Sequence, residues 1–108
     1  MYKLVFFVPE SHLAEVKAAV FATGAGQIGD YEQCCFETRG TGQFKPMAAA
    51  NPFIGHAGKL ERVTEVRVEL VCADTLIRPA IAALRAAHPY EEPAFDAWQL
   101  SEFTHSEE

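Results

Sequence analysis

Basic residues are scarce in this chain: 9 Lys and Arg stand against 15 Asp and Glu, for a net charge of −6 over 108 residues. Binding to phosphate backbones needs a basic footprint, so nucleic acid is excluded as a partner. An anionic membrane surface is excluded on the same ground. Long apolar runs are missing too. The run from Leu4 to Pro9 is too short for a secretory signal and has no small-residue cleavage site after it. Nothing approaches the ~20 apolar residues that span a bilayer, and the expected location is the cytoplasm. Cysteine is sparse and odd in number: Cys34, Cys35 and Cys72. Neighbouring residues on a strand point to opposite faces, so Cys34 and Cys35 suit neither a disulfide nor a metal pair. The three are read as reduced, mostly buried small hydrophobes. There is no GK[ST] phosphate loop, and no serine or cysteine with a partner base. No catalytic residue is assigned.

What is present fits one domain, which for most proteins means about 100–150 residues. The domain is expected over 1–101, with 102–108 as an acidic, frayed tail. Residues 2–8 are β-prone and apolar on both faces, as in the middle of a sheet. Leu13, Val16 and Val20 then recur at helical spacing, with Ser11 as N-cap and Gly24 or Gly26 as stop. A second strand is placed at 31–39. From 60 to 72, Val66, Val68 and Leu70 alternate with Glu65, Arg67 and Glu69, the period of a strand with one buried face. A second helix begins near Asp74 or Thr75, carries Ile77, Ala80, Ile81, Leu84 and Ala87 on one stripe, and ends before Pro89. Pro79 must lie in its first turn. The last strand is 94–100.

The order β-α-β-β-α-β is that of a ferredoxin-like α+β sandwich with a four-stranded antiparallel sheet. Right-handed crossovers put strands one and three in the centre and strands two and four at exposed edges. A strand over the whole of 60–72 would reach about 40 Å at ~3.3 Å per residue. Part of it is therefore expected to project as an extended β2-β3 hairpin arm.

Two segments stand out as sites. Gly40 to Gly58, GTGQFKPMAAANPFIGHAG, exceeds the ~12–15 residues of an ordinary connection. Its candidate ligand or partner residues are Gly40, Gly42, Phe44, Asn51, Phe53, Gly55 and His56. Phe44, Met47, Phe53 and Ile54 are too apolar for a free loop and should pack on the body or on another subunit. The second segment, HPYEEPAFD, offers His88, Glu91 and Glu92 as ligands for a divalent metal ion, the one cofactor considered. A plain structural reading competes with it. Two prolines fix the turn, Tyr90 packs, and His88 sits at a helix C-terminus where the dipole favours it.

The stretches GAGQIGDYEQCCFETRGTGQFKP, NPFIGHAGKLERVTEVRVELVC and HPYEEPAFDAWQL together resemble a domain of the Ngg-interacting-factor-three family, over roughly residues 2 to 100. In the longer bacterial members this domain is inserted within a larger metal-binding protein. The domain is similar to PII signal proteins and CutA proteins, which are ferredoxin-like and trimeric. The HPYEEPAF segment resembles the corresponding turn of CutA proteins. The metal-binding body of the longer members has no counterpart here, so neither its metal site nor its proposed hydrolase or cyclohydrolase-like activity carries over. The resemblance implies a standalone copy of the accessory domain, with a trimer as its assembly. By analogy with PII proteins, the Gly40–Gly58 loop stands where a partner-touching loop stands.

The function expected is a homo-oligomeric regulatory or assembly module that binds a partner protein or a small ligand. The alternatives are a divalent-metal-binding or metal-delivery protein and, third, a small hydrolase with its site between subunits.

Overall fold

The computed structural model describes residues 1–105; the last part of the expected acidic tail, 106–108, lies outside the described residues. Four strands, β1 (Tyr2–Pro9), β2 (Phe36–Phe44), β3 (Glu61–Cys72) and β4 (Phe95–Gln99), and two helices, α1 (Leu13–Phe21) and α2 (Ile77–Ala87), follow one another in ferredoxin-like order. Short 3₁₀ turns precede each helix, at Glu10–His12 and Asp74–Leu76, and a third covers Glu102–His105. The sheet order is β2-β3-β1-β4, with every pairing antiparallel. β1 and β3 are thus central and β2 and β4 form the edges, as the apolar first strand requires.

Alternation along the central strands divides the sheet. Leu4, Phe6 and Val8 of β1 and Val66, Val68 and Leu70 of β3 face the helices. Val16 and Val20 of α1 and Ile77, Ala80 and Leu84 of α2 meet them. Each such large side chain, once buried, contributes on the order of 1.5–3 kcal/mol. Both helices lie on this one face. The opposite face, which carries Lys3, Val5 and Phe7 of β1, Glu65, Arg67 and Glu69 of β3, Phe36 of β2 and Trp98 of β4, has no helix or strand over it among the described residues. Val5 is nonetheless buried there, and Phe7 and Glu65 at one end lie beside the loop over 45–60.

Several boundaries differ from the sequence reading, each for a local reason. α1 is not capped by Ser11: the Ser11 hydroxyl bonds the ring Nδ1 of His12 at 2.8 Å, and a 3₁₀ turn leads into the helix instead. Gly24, at φ +97°, ends the descent from α1 in the left-handed region. The second strand begins at Phe36 rather than at 31. Ile28 and Tyr31 instead bond each other's backbone across a tight turn, at 2.8 and 2.9 Å. Pro79 does fall in the first turn of α2, and His88, held extended (φ −70°, ψ 136°) before Pro89, ends it. All three cysteines are free thiols, but only Cys72 is fully buried; Cys34 and Cys35 are half-buried. Burial raises the thiol pKa of Cys35 and of Cys72.

β3 outruns β1. Its pairing with β1 stops at Pro9↔Glu65, whereas its pairing with β2 continues to Phe44↔Glu61. Residues 41–44 and 61–64 therefore form the projecting arm, and the longest dimension of the molecule is 53 Å. At the other end of β1, Tyr2 pairs with Gln99, and the Leu100 N–H donates to the Met1 carbonyl at 2.9 Å.

Candidate functional site

The loop over 45–60 does not extend the arm; it folds back on the body. Gly58 N–H donates to the Pro46 carbonyl at 2.9 Å and closes the base of the loop. Asn51 N–H donates to Glu91 Oε1 at 2.9 Å and ties the middle of the loop to the turn after α2. Phe53 stands edge-on to the His12 ring, with centroids 5.3 Å apart, and tilts toward Tyr90 at 6.4 Å. Phe44 approaches Tyr90 from the strand side at 6.0 Å. Together the arm, the loop and the turn enclose an open, mostly apolar cavity of about 450 Å³. That volume lies within the range of small-molecule sites. Of the four apolar loop residues expected to pack, Phe44 and Ile54 are half-buried, whereas Phe53, despite its contacts with His12 and Tyr90, stays 52% exposed and Met47 80% exposed.

At the back of this cavity the Tyr90 hydroxyl donates to Glu65 Oε2 at 2.8 Å. Gly42 makes the contact possible: a Cβ at that position would stand 2.4 Å from Glu65 Oε1. The glycine lets the Glu65 side chain lie over β2 and reach the turn. Burial first, then the hydrogen bond to the Glu65 carboxylate, push the Tyr90 phenol well above its ordinary range. Neither Glu65 nor Tyr90 carries a signal in the sequence that marks it as a site residue. Glu65 reads there as one more charge on a wet strand face, and nothing local links it to a tyrosine 25 positions away.

His88 holds the turn from beneath. The residue is 6% exposed, Nε2 donates to the Phe7 carbonyl at 2.7 Å, and Nδ1 accepts from the Tyr90 N–H at 3.1 Å. This fixes the neutral Nε2–H tautomer and presses the imidazole against Tyr90, with ring centroids 5.0 Å apart. Burial is the largest influence on its pKa and lowers it, against the raising effects of the Phe7 carbonyl and Glu65.

The sequence-derived residues are distributed as follows. Gly40 and Gly42 lie within β2, opposite Glu65 and Val63, and not in the loop where they were expected. Gly42, Phe44 and Phe53 line the cavity together with Glu91 and Glu92. Asn51 contributes its backbone to the clasp, and Gly55 turns the loop at φ +82° beside Glu61. His56 is exposed on the loop, where its carbonyl accepts from Lys59 N–H. His88, Glu91 and Glu92 are not brought to a common point. Both His88 nitrogens serve backbone groups, Glu91 accepts from Asn51, and no group of three or more metal-ligating side chains occurs among the described residues. No helix among them is long and apolar enough to cross a membrane.

Comparison with known proteins places this domain. The chain is 51% identical over 98 residues to a GTP cyclohydrolase 1 type 2 homolog of Mycobacterium leprae, matching 91% of the chain and 26% of that protein. It is 46% identical over 101 residues to the like-named protein of Halalkalibacterium halodurans, matching 94% of the chain and 27% of that protein. The chain thus spans about a quarter of the length of these curated relatives. Among solved structures, a Bacillus cereus protein related to NIF3 superimposes with a TM-score of 0.78 at 44% identity, over 94% of the chain and 26% of that protein. The periplasmic divalent cation tolerance protein CutA of Archaeoglobus fulgidus superimposes at 0.66 with 14% identity, over 94% of the chain and 86% of that protein. No family model matches. The resemblance read from three segments of the sequence therefore extends over most of the chain, and the fold is CutA-like.

Proposed function

We propose that the chain is a homo-oligomeric regulatory or assembly module that binds a small ligand or a partner protein. The observation that carries this reading is the uncovered sheet face. Phe36 there is 69% exposed and Trp98 45% exposed, on a sheet whose other face holds both helices. A sheet face with large apolar side chains is ordinarily covered by another layer, and copies of the same chain can supply that layer. The resemblance to PII and CutA proteins favours three copies.

The cyclohydrolase activity in the relatives' name is, on this reading, carried outside the quarter that the chain matches. The cavity presents a tyrosine bonded to a glutamate and no nucleophile with a base, so it suits binding rather than turnover. A divalent-metal role would require His88 to surrender one of two backbone hydrogen bonds, each worth about 1 kcal/mol. Zinc titration of the protein and of His88→Ala tests that alternative.

Native mass spectrometry of untagged protein, purified without chelators, tests the main reading. A discrete trimer or other closed oligomer supports it. A monomer at micromolar concentration, with no retained ligand, overturns it.

A further inference from the structure

We infer that the cavity between the 45–60 loop and the turn after α2 takes a small organic cation, an ammonium group carried on an apolar body. The inference rests on the ligand-binding reading above and deepens it. Three aromatic rings, Phe44, Phe53 and Tyr90, converge there with centroid separations of 6.0 and 6.4 Å from Tyr90. Three carboxylates, Glu65, Glu91 and Glu92, line the same space. Outside the cavity, Glu10, Glu37, Glu69 and Asp74 meet a cation within the chain, while among the described residues other acids such as Glu15, Asp30 and Glu61 do not. Among the described residues, none of the three cavity carboxylates meets a cation either. Glu65 receives only the neutral Tyr90 hydroxyl and Glu91 only a backbone amide. Lys45, which also lines the cavity, is exposed and pairs with none of them.

Glu65, half-buried and bonded only to a neutral hydroxyl, leaves negative charge uncompensated in the cavity, and Glu91 and Glu92 add negative charge at its exposed rim. Aromatic faces add attraction for a cation within about 6 Å. The same carboxylates repel phosphates and carboxylic acids. The cavity volume of about 450 Å³ suits an organic molecule rather than a bare ion. A bare divalent ion would also need a cluster of ligating side chains, which the described residues lack.

The test is a two-dimensional amide NMR titration of the full chain with 2-phenylethylammonium, and in parallel with its uncharged analogue 2-phenylethanol. The expected result is saturable shifts at the Asn51 and Tyr90 amides with the ammonium, and affinity for the alcohol about tenfold weaker or worse. Glu65→Gln and Glu92→Gln should each weaken the ammonium several-fold while keeping a dispersed, folded spectrum. Equal affinity for the two probes, or an ammonium affinity unchanged in both variants, overturns the cation inference and leaves an apolar ligand site standing. No binding of either probe overturns both the inference and the ligand reading of this cavity. Subunit count, measured on the same samples, reports separately on the assembly reading.

Discussion

The Glu65 carboxylate reaches the Tyr90 hydroxyl, at 2.8 Å, across a strand position left empty by Gly42. Three elements meet in that contact: β2 supplies the gap, β3 the acceptor and the turn after α2 the donor. Replacing Gly42 with alanine would set a methyl group against the end of a flexible side chain, so Glu65 should swing aside and the fold should survive. Gly42→Ala and Tyr90→Phe are each expected to cost about 1 kcal/mol, the worth of a hydrogen bond. The double variant should cost little more than either single one, because both remove the same bond. Urea midpoints at constant m-value check this; full additivity would mean that the two residues are not coupled.

His88 makes stability depend on acid. Its folded-state pKa lies below the ordinary value near 6.5, so between the two values the unfolded chain binds a proton that the folded chain refuses. Stability is full above about pH 6.5 and falls as pH drops from there toward the folded-state pKa. Protonation would also place a hydrogen on Nδ1, where the Tyr90 N–H already points. Urea midpoints between pH 7.5 and 5 should decline in the wild type and decline less in His88→Gln. Parallel curves for the two proteins would remove His88 as the cause.

Tyr90 acts at the opposite end of the pH scale. Its folded-state pKa is raised above the ordinary value near 10, so this contribution is full below pH 10 and is lost as pH rises beyond it. An absorbance titration of phenolate should show one tyrosine that resists ionisation past pH 10 in the native protein. That resistant fraction should vanish in Tyr90→Phe and shrink in Glu65→Gln.

The uncovered sheet face gives a test of assembly that leaves the core alone. Phe36→Asp and Trp98→Asp place charge on that face, away from the helices. Both should shift the protein toward monomer in sedimentation velocity and keep native far-ultraviolet circular dichroism. By contrast, Leu84→Ala, at a fully buried core position, should cost about 2–5 kcal/mol through the cavity it leaves.

Much of this fold was legible in the sequence because its central elements repeat a strict period. Val66, Val68 and Leu70 alternate with charge, Ile77, Ala80 and Leu84 follow a helical stripe, and prolines 79 and 89 punctuate α2. Together with right-handed crossovers, these patterns specify the strand order and the C-terminal end of α2. β2 was misplaced because an edge strand has little to bury. Phe36–Thr41 are exposed on both faces, so no alternation marks them, and Gly40 and Gly42 read as loop. The candidate site was only half legible. The loop and the HPYEEP turn each stand out in the sequence, but neither the bond that ties them, Asn51 N–H to Glu91, nor the acceptor for Tyr90, Glu65 of the strand between them, is marked there. Nor can sequence show that His88 Nε2 donates to the Phe7 carbonyl, 81 residues away.

The ends of β1 and β4 carry a consequence for modularity. Tyr2 and Gln99 are direct partners, and Leu100 bonds back to Met1, so the chain enters and leaves the sheet at a single doorway. A unit of this kind can be spliced into a surface loop of a host protein while holding the host's severed ends only a few ångströms apart, at little entropic cost. The domain can therefore travel as a cassette, which suits its correspondence to one quarter of much longer relatives.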